Sequence, residues 1–236
     1  MLRREDITEE RINAWIAEGR RQGFNHFLTR DQREASRRRT LSRVGRNQSV
    51  WIFGYGSLIW APAFHYAERQ PALLRGWRRS FCFWTQLGRG SPKLPGLMLA
   101  LERGGQCHGV AYRIPPRLVE SETEIFWRRE MVSGVYRPIW VTVRTPRGPV
   151  QALTLVINRH HRLYTGRLAL DRAAHHIAFA EGSNGPCREY LAHTVKHLHD
   201  LKIPDREMRR LWQRVLDLRA QAGTLPTERE GESTGR

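Results

Sequence analysis

Residues 50–60 read Val50-Trp51-Ile52-Phe53-Gly54-Tyr55-Gly56-Ser57-Leu58-Ile59-Trp60. The first four form a short apolar run, the pattern of a buried strand, and the glycines at 54 and 56 let the chain turn sharply just after it. Such a turn can aim successive N–H groups into a concavity that holds a carboxylate or a phosphate. Two nucleotide readings fail on the letters. A P-loop needs Gly-Lys-Ser/Thr, and a dinucleotide fingerprint needs a third glycine where Ile59 stands. Ser57 is not in a Gly-x-Ser-x-Gly elbow, so a serine hydrolase is poorly supported. Taken alone, the octapeptide 53–60 reads better as a structural turn at a strand end.

Outward from this stretch, short apolar runs at 81–85, 97–101, 108–114, 139–144 and 152–157 read as further strands, most of them bounded by Gly or Pro. Pro115-Pro116 precedes a helical stretch at about 117–131. Before Val50, Ile7, Ile12, Trp15 and Ile16 recur at helical spacing after a start at Thr8-Glu9-Glu10. Thr29-Arg30-Asp31-Gln32 has the capping-box pattern and opens a second helix running to about Val44. The last third predicts helices at 173–181, 189–201 and 205–220. The expected division is a basic helical arm at 1–48, a catalytic domain at 49–220 and a disordered tail at 221–236. This order of elements predicts an α+β fold with a mostly closed sheet.

A second segment carries possible chemistry: Trp127-Arg128-Arg129-Glu130-Met131-Val132-Ser133-Gly134-Val135-Tyr136. Glu130 ends a helical run among apolar neighbours, where a carboxylate loses solvent, its pKa rises, and it suits proton transfer. On its own it reads better as the ion-pair partner of a nearby arginine. Glu120, Glu122 and Glu124 look like a solvated helix face. His193 and His197, at i and i+4, lack the metalloprotease glutamate and a third ligand, so they read as surface histidines and no metal is expected. His160-His161 and His175-His176 are assigned no chemistry.

The chain has 236 residues, 40% apolar and 9% aromatic, which excludes a wholly disordered protein. No apolar stretch is long enough for a membrane span, and no apolar segment follows Met1-Leu2-Arg3-Arg4 as in a secretory signal. Three scattered cysteines, Cys82, Cys107 and Cys187, fit neither a disulfide scaffold nor a zinc cluster. The expected location is the cytoplasm. The formal charge of +17 invites a nucleic-acid reading, yet lysine occurs only at 93, 196 and 202, so all but three of the 40 basic residues are arginine. They are dispersed, as codon bias would produce, and no RNP, zinc-finger or basic-heptad pattern accompanies them. No specific nucleic-acid partner is expected.

Together the two segments resemble the ChaC-type, glutathione-specific γ-glutamylcyclotransferases, in their longer bacterial form. The family's Tyr-Gly-Ser-Leu loop is matched by Tyr55-Gly56-Ser57-Leu58, and its Arg-Glu-Met segment by Arg129-Glu130-Met131, followed by Gly134 and Tyr136. Further matches are Gly76-Trp77-Arg78-Arg79, Gly109-Val110-Ala111-Tyr112-Arg113, Gly182-Ser183-Asn184-Gly185 and Tyr190-Leu191. One departure is Cys187, where the family commonly carries a polar residue three positions before the late tyrosine. The resemblance implies a γ-glutamylcyclotransferase-like small mixed β-barrel with flanking helices.

It also implies a reaction, in which a γ-glutamyl peptide cyclises to 5-oxoproline and glutathione releases Cys-Gly. The substrate's own α-amine attacks its γ-carbonyl, so the reaction calls for no enzyme nucleophile, metal or cofactor. By the resemblance, Glu130 is the general base and then the general acid. The substrate-binding residues are Ile52, Phe53, Gly54, Tyr55, Gly56, Ser57 and Leu58, with Tyr136 and Tyr190. Ser57, Tyr136 and Tyr190 remain open as donors to the γ-carbonyl oxygen. The expected protein is a monomer acting on glutathione or another γ-glutamyl compound. The alternatives are a cyclotransferase for other γ-glutamyl amines or amino acids, and a noncatalytic basic binding protein, with nucleic acid as one candidate ligand.

Overall fold

The structure is a computed structural model that describes residues 4–224. Two helices lead, α1 (Glu9–Arg21) and α2 (Arg30–Leu41). The Thr8 hydroxyl caps α1 by accepting from Arg11 N, and the box at Thr29 and Gln32 forms with both of its hydrogen bonds present. The second helix stops at Leu41, short of Val44. It carries a net excess of arginine on its surface turns and is held by tertiary contacts.

Five strands then close a barrel: β1 (Val50–Gly54), β2 (Glu68–Thr85), β3 (Gly96–Ile114), β4 (Tyr136–Thr145) and β5 (Gly148–Ile157). Their order is β1-β3-β2-β4-β5, and parallel pairing of β1 with β5, Trp51 opposite Ala152, completes the ring. The helix α3 (Val119–Glu130) connects β3 to β4. After the barrel come α4 (Leu170–Phe179), a two-residue hairpin of β6 (Glu181–Gly182) and β7 (Gly185–Pro186), α5 (Cys187–Asp200) and α6 (Arg206–Thr224). The expected mixed barrel with flanking helices is thus the architecture found.

Two boundaries differ from the sequence reading in an instructive way. The runs at 97–101 and 108–114 belong to one strand, because Gly104 and Gly105, both at positive φ, take up a shift of register against β2 between Arg75 and Trp77 without ending the strand. Its long partner begins at Glu68, although Glu68, Arg69 and Pro71 carry no strand pattern; pairing with β3, Glu68 opposite Arg113, imposes the extended form. The last helix runs on to Thr224, past the expected 220, and the proposed tail from 225 onward lies outside the described residues.

The core fills the barrel and the gap beneath the helices. Ile52, Leu97, Leu99, Tyr112, Phe126, Trp127, Ile177 and Leu191 are buried in one cluster spanning β1, β3, α3, α4 and α5. The arm is fastened to α3 mainly by arginines. Arg128 Nε of α3 donates to Glu9 at 3.1 Å, Arg37 Nη1 of α2 donates to Thr123 Oγ1 at 3.1 Å, and within the arm Arg33 Nη2 donates to the same Glu9 carboxylate at 2.9 Å. Glu122 is not part of a solvated face: it is buried, accepts from Arg4 at 2.5 and 3.0 Å and takes the backbone N–H of His65. A buried carboxylate is tolerated only with such partners.

Candidate active site

The strand β1 ends at Gly54, and the chain folds back on itself at once. A Cβ at Gly54 would stand 2.8 Å from Leu58 Cβ, so the tightness of the turn requires glycine there. Ile59 N donates to Gly56 O, and Ala61 N to Ser57 O, both at 2.9 Å. The phenol of Tyr112, buried in the cluster beneath the helices, donates to the carbonyl of Leu58 at 2.8 Å. From the other side Arg79, on β2, donates from Nε to the carbonyl of Tyr55 at 2.6 Å and from Nη2 to the carbonyl of His108 at 2.6 Å. With the carbonyls of the turn engaged outward, its leading N–H groups are left for a ligand.

Glu130 is the last residue of α3, and Met131 N still bonds back to Trp127 O at 2.9 Å. Its side chain is 15% exposed. Arg129 Nε lies 2.9 Å from Glu130 Oε1, close enough for an ion pair but not aligned as a hydrogen bond. That oxygen is shut off from solvent and accepts no hydrogen bond among the described residues. Burial pushes the Glu130 pKa up from its ordinary value of 4.5, and the Arg129 guanidinium offsets only part of the rise. The same guanidinium donates from Nη2 to Ser57 Oγ at 3.0 Å and from Nη1 to Ala61 O, so one side chain ties the carboxylate to the turn.

Tyr55, Gly56, Ser57, Leu58, Glu130, Tyr136 and Tyr190 line one cavity of about 20 Å³, with Leu99 and Leu155 as its apolar floor. The structure therefore brings seven of the ten expected site residues together. Ile52, Phe53 and Gly54 are not in the lining; Ile52 and Phe53 are fully buried in the core and support the turn from behind. They alternate across a strand whose two faces are both covered, so neither faces the cavity.

The three hydroxyls left open by the sequence are not equivalent. Tyr136 Oη donates to Leu99 O at 2.8 Å, and Ser57 Oγ takes the Arg129 donor. The Tyr190 hydroxyl has no such carbonyl partner among the described residues, and it stands 3.1 Å from where a Cβ on Gly56 would be. Burial pushes both phenols upward, so both stay protonated.

Sequence reasoning missed Arg79 and Arg129 as supports. Both stand inside segments that match the family, Gly76-Trp77-Arg78-Arg79 and Arg129-Glu130-Met131, but nothing in the letters shows which backbone or side-chain groups they reach. Cys187, the departure, is fully buried. Its Sγ accepts from Leu97 N at 3.3 Å and donates to Leu97 O at 3.2 Å, away from the cavity lining. His193 and His197 stack on Trp60, at 6.3 and 5.0 Å between ring centres. Among the described residues, no three His, Cys, Asp or Glu side chains are grouped to hold a metal, and no helix is long and apolar enough to cross a membrane.

The family model described as ChaC-like protein matches residues 50–218. The glutathione-specific gamma-glutamylcyclotransferase of Escherichia coli (strain K12) is 39% identical over 176 residues, 74% of this chain and 76% of that protein. Glutathione-specific gamma-glutamylcyclotransferase 1 of Danio rerio is 32% identical over 168 residues, 69% of this chain and 85% of that protein. The crystal structure of the yeast gamma-glutamylcyclotransferase specific to glutathione superposes with a TM-score of 0.68 at 24% identity, over 74% of this chain and 99% of that one, a likeness of fold.

Proposed function

This chain belongs to the ChaC-like protein family, and from that premise we propose that it is a glutathione-specific γ-glutamylcyclotransferase with Glu130 as its proton carrier. The observation that carries the reading is Glu130 Oε1, a buried carboxylate oxygen with no hydrogen-bond donor among the described residues, on a side chain bordering the same small cavity as the Tyr55–Leu58 turn. A buried acceptor left without a donor is costly unless a ligand supplies one, and a substrate amine does.

The cavity has room for a carboxylate or an amine and little more. The α-carboxylate of the γ-glutamyl group enters it, on the N–H groups of Gly56, Ser57 and Leu58. Its α-amine then lies toward Glu130. This amine is an ammonium at neutral pH and must lose a proton before it can attack. Glu130 takes it, and the freed nitrogen adds to the substrate's own γ-carbonyl carbon. The Tyr190 hydroxyl, uncommitted to any backbone carbonyl, donates to the oxygen as charge develops. The C–N bond to cysteine breaks while Glu130 returns the proton to the departing nitrogen; the second proton, shed as the attacking nitrogen becomes the lactam N–H, passes over the same carboxylate to the departing amine, so 5-oxoproline and the ammonium of Cys-Gly leave and the carboxylate is restored.

The energetic task is mainly conformational. Holding a flexible chain with amine and carbonyl in line can be worth about 7–11 kcal/mol, and the general acid–base step a further factor of about 10²–10⁴. The raised pKa of Glu130 suits the first half of its role, since the conjugate base of a weaker acid takes a proton more readily, and the acid so formed still returns it to the departing nitrogen. The direct test is incubation of the purified protein with glutathione and assay of both products. Stoichiometric 5-oxoproline and Cys-Gly support the reading, and glutathione recovered intact at high enzyme concentration refutes it.

A further inference from the structure

Glu130 and Tyr136 border two cavities. Behind them lies the small one at the turn; in front opens a second of about 360 Å³ between the barrel and the N-terminal arm. A γ-glutamyl substrate whose carboxylate sits at the turn and whose scissile nitrogen faces Glu130 must send its leaving half into this larger space. The size is in the range of sites that enclose a whole small ligand.

What walls it is unexpected. Its barrel side includes Phe83, Trp84 and Met98, and its arm side Trp15, Phe24 and Phe27. The arm residues precede residue 50 and so lie outside the segment matched by the family model. Their position is firm. Trp15 meets Phe27 edge-on at 5.4 Å between ring centres, Leu28 N donates to Val132 O at 2.8 Å, and Gly19 lies so close to Phe27 that a Cβ there would stand 2.4 Å from its ring. The arm is therefore fixed to the segment that follows Glu130.

Resting on the cyclotransferase reading, we infer that this arm-walled compartment is the leaving-group site and that its aromatic surface admits glutathione carrying an apolar thioether substituent on sulfur. Cys-Gly alone offers one small thiol to five aromatic rings. A substituent on that sulfur buries apolar area against them, and thioether sulfur itself packs well at ring edges. Arg11 and Arg89 line the same compartment; Arg11 pairs with Asp6, and Arg89 donates to Pro186 O at 2.8 Å and lies 3.5 Å from Glu189, so a terminal carboxylate of the leaving peptide would share these guanidiniums with their present partners. The chemistry is unchanged: the same C–N bond breaks, and the S-substituted Cys-Gly leaves with the proton from Glu130.

The test compares S-benzylglutathione with glutathione in the full chain, as substrates of the wild type and of Trp15→Ala and Trp15→Phe, and as ligands of Glu130→Gln with and without the same changes. The wild type is expected to release 5-oxoproline from both compounds. In Trp15→Ala the ratio of kcat/KM for S-benzylglutathione over glutathione falls by about tenfold, and in Trp15→Phe by less. A merely structural loss lowers both rates together and leaves the ratio fixed, which overturns the inference. So does turnover of glutathione with none of the thioether. If neither compound is turned over, the cyclotransferase reading itself fails. The binding arm then still decides the compartment: S-benzylglutathione bound no tighter than glutathione, or equally in the Trp15 variants, overturns it.

Discussion

Arg79 Nε donates to the carbonyl oxygen of Tyr55 at 2.6 Å, and through that bond the turn that borders the small cavity is tied to the far end of the molecule. The other end of the same guanidinium pairs with Asp205, whose Oδ1 caps α6 by accepting from Met208 N at 3.0 Å. The side chain is 3% exposed, so its hydrogen bonds have no water to replace them. Arg79→Met is expected to destabilise by about 3 kcal/mol, the low end for breaking a buried pair because Asp205 keeps some solvent contact. It is also expected to raise KM for glutathione more than it lowers kcat, since the turn holds the carboxylate in ground and transition states alike. Denaturant unfolding with steady-state kinetics checks both, and an unaltered KM in a folded variant counts against the role of the turn.

Glu130→Gln keeps the shape of the side chain and removes its proton chemistry. Turnover is expected to fall by about 10²–10⁴ while glutathione still binds. Calorimetric titration beside a 5-oxoproline assay separates the two effects. A variant that retains wild-type turnover removes Glu130 from the mechanism.

The two phenols should part company. Tyr190→Phe takes away the uncommitted hydroxyl and is expected to lower kcat by about 10²–10³, as loss of one oxyanion donor does. Tyr136→Phe breaks a bond to Leu99 O and should cost about 1 kcal/mol of stability with a smaller effect on kcat. The reverse ranking in kcat would assign the donor to Tyr136.

The pH dependence follows from burial. Because Glu130 must be ionised to accept the first proton, kcat/KM falls as pH drops through its raised pKa, so the acid limb lies above 4.5. Arg129→Met removes the neighbouring cation and is expected to move that limb to still higher pH. Stability has the opposite sense. A carboxyl whose pKa is raised in the folded state favours folding below its unfolded value, and that contribution is lost as pH climbs through the folded value. Glu130→Gln, neutral throughout, should therefore gain in Tm relative to the wild type as pH rises from 4.5 toward neutrality.

Cys187 marks a packing difference and no catalytic one. Its thiol is buried on the Leu97 backbone, and burial pushes its pKa up to about 11. Cys187→Ala is expected to lower stability by about 1–2 kcal/mol while changing kcat/KM for glutathione less than threefold. A large kinetic effect in a stable variant would place that position in the site after all.

Much of this was legible in the letters. Thr8 and the Thr29–Gln32 box announced the arm helices because capping chemistry is local, and the apolar run before Gly54 announced β1 because a buried strand needs no distant information to be apolar. Glu130 stood out as an acid among apolar neighbours. The sequence by itself also carried the family resemblance, and with it the barrel and the candidate proton carrier.

Tertiary structure decided the rest, for one physical reason: burial and partner geometry depend on residues far apart in the chain. Nothing local distinguishes Glu122, buried on Arg4 across 118 positions, from an acid on a wet helix face. Neither does spacing show that the Tyr136 proton belongs to Leu99 while that of Tyr190 stays uncommitted, or that Trp15 and Phe27 wall the space in front of Glu130. Those assignments came into being only when the barrel closed and the arm docked against α3.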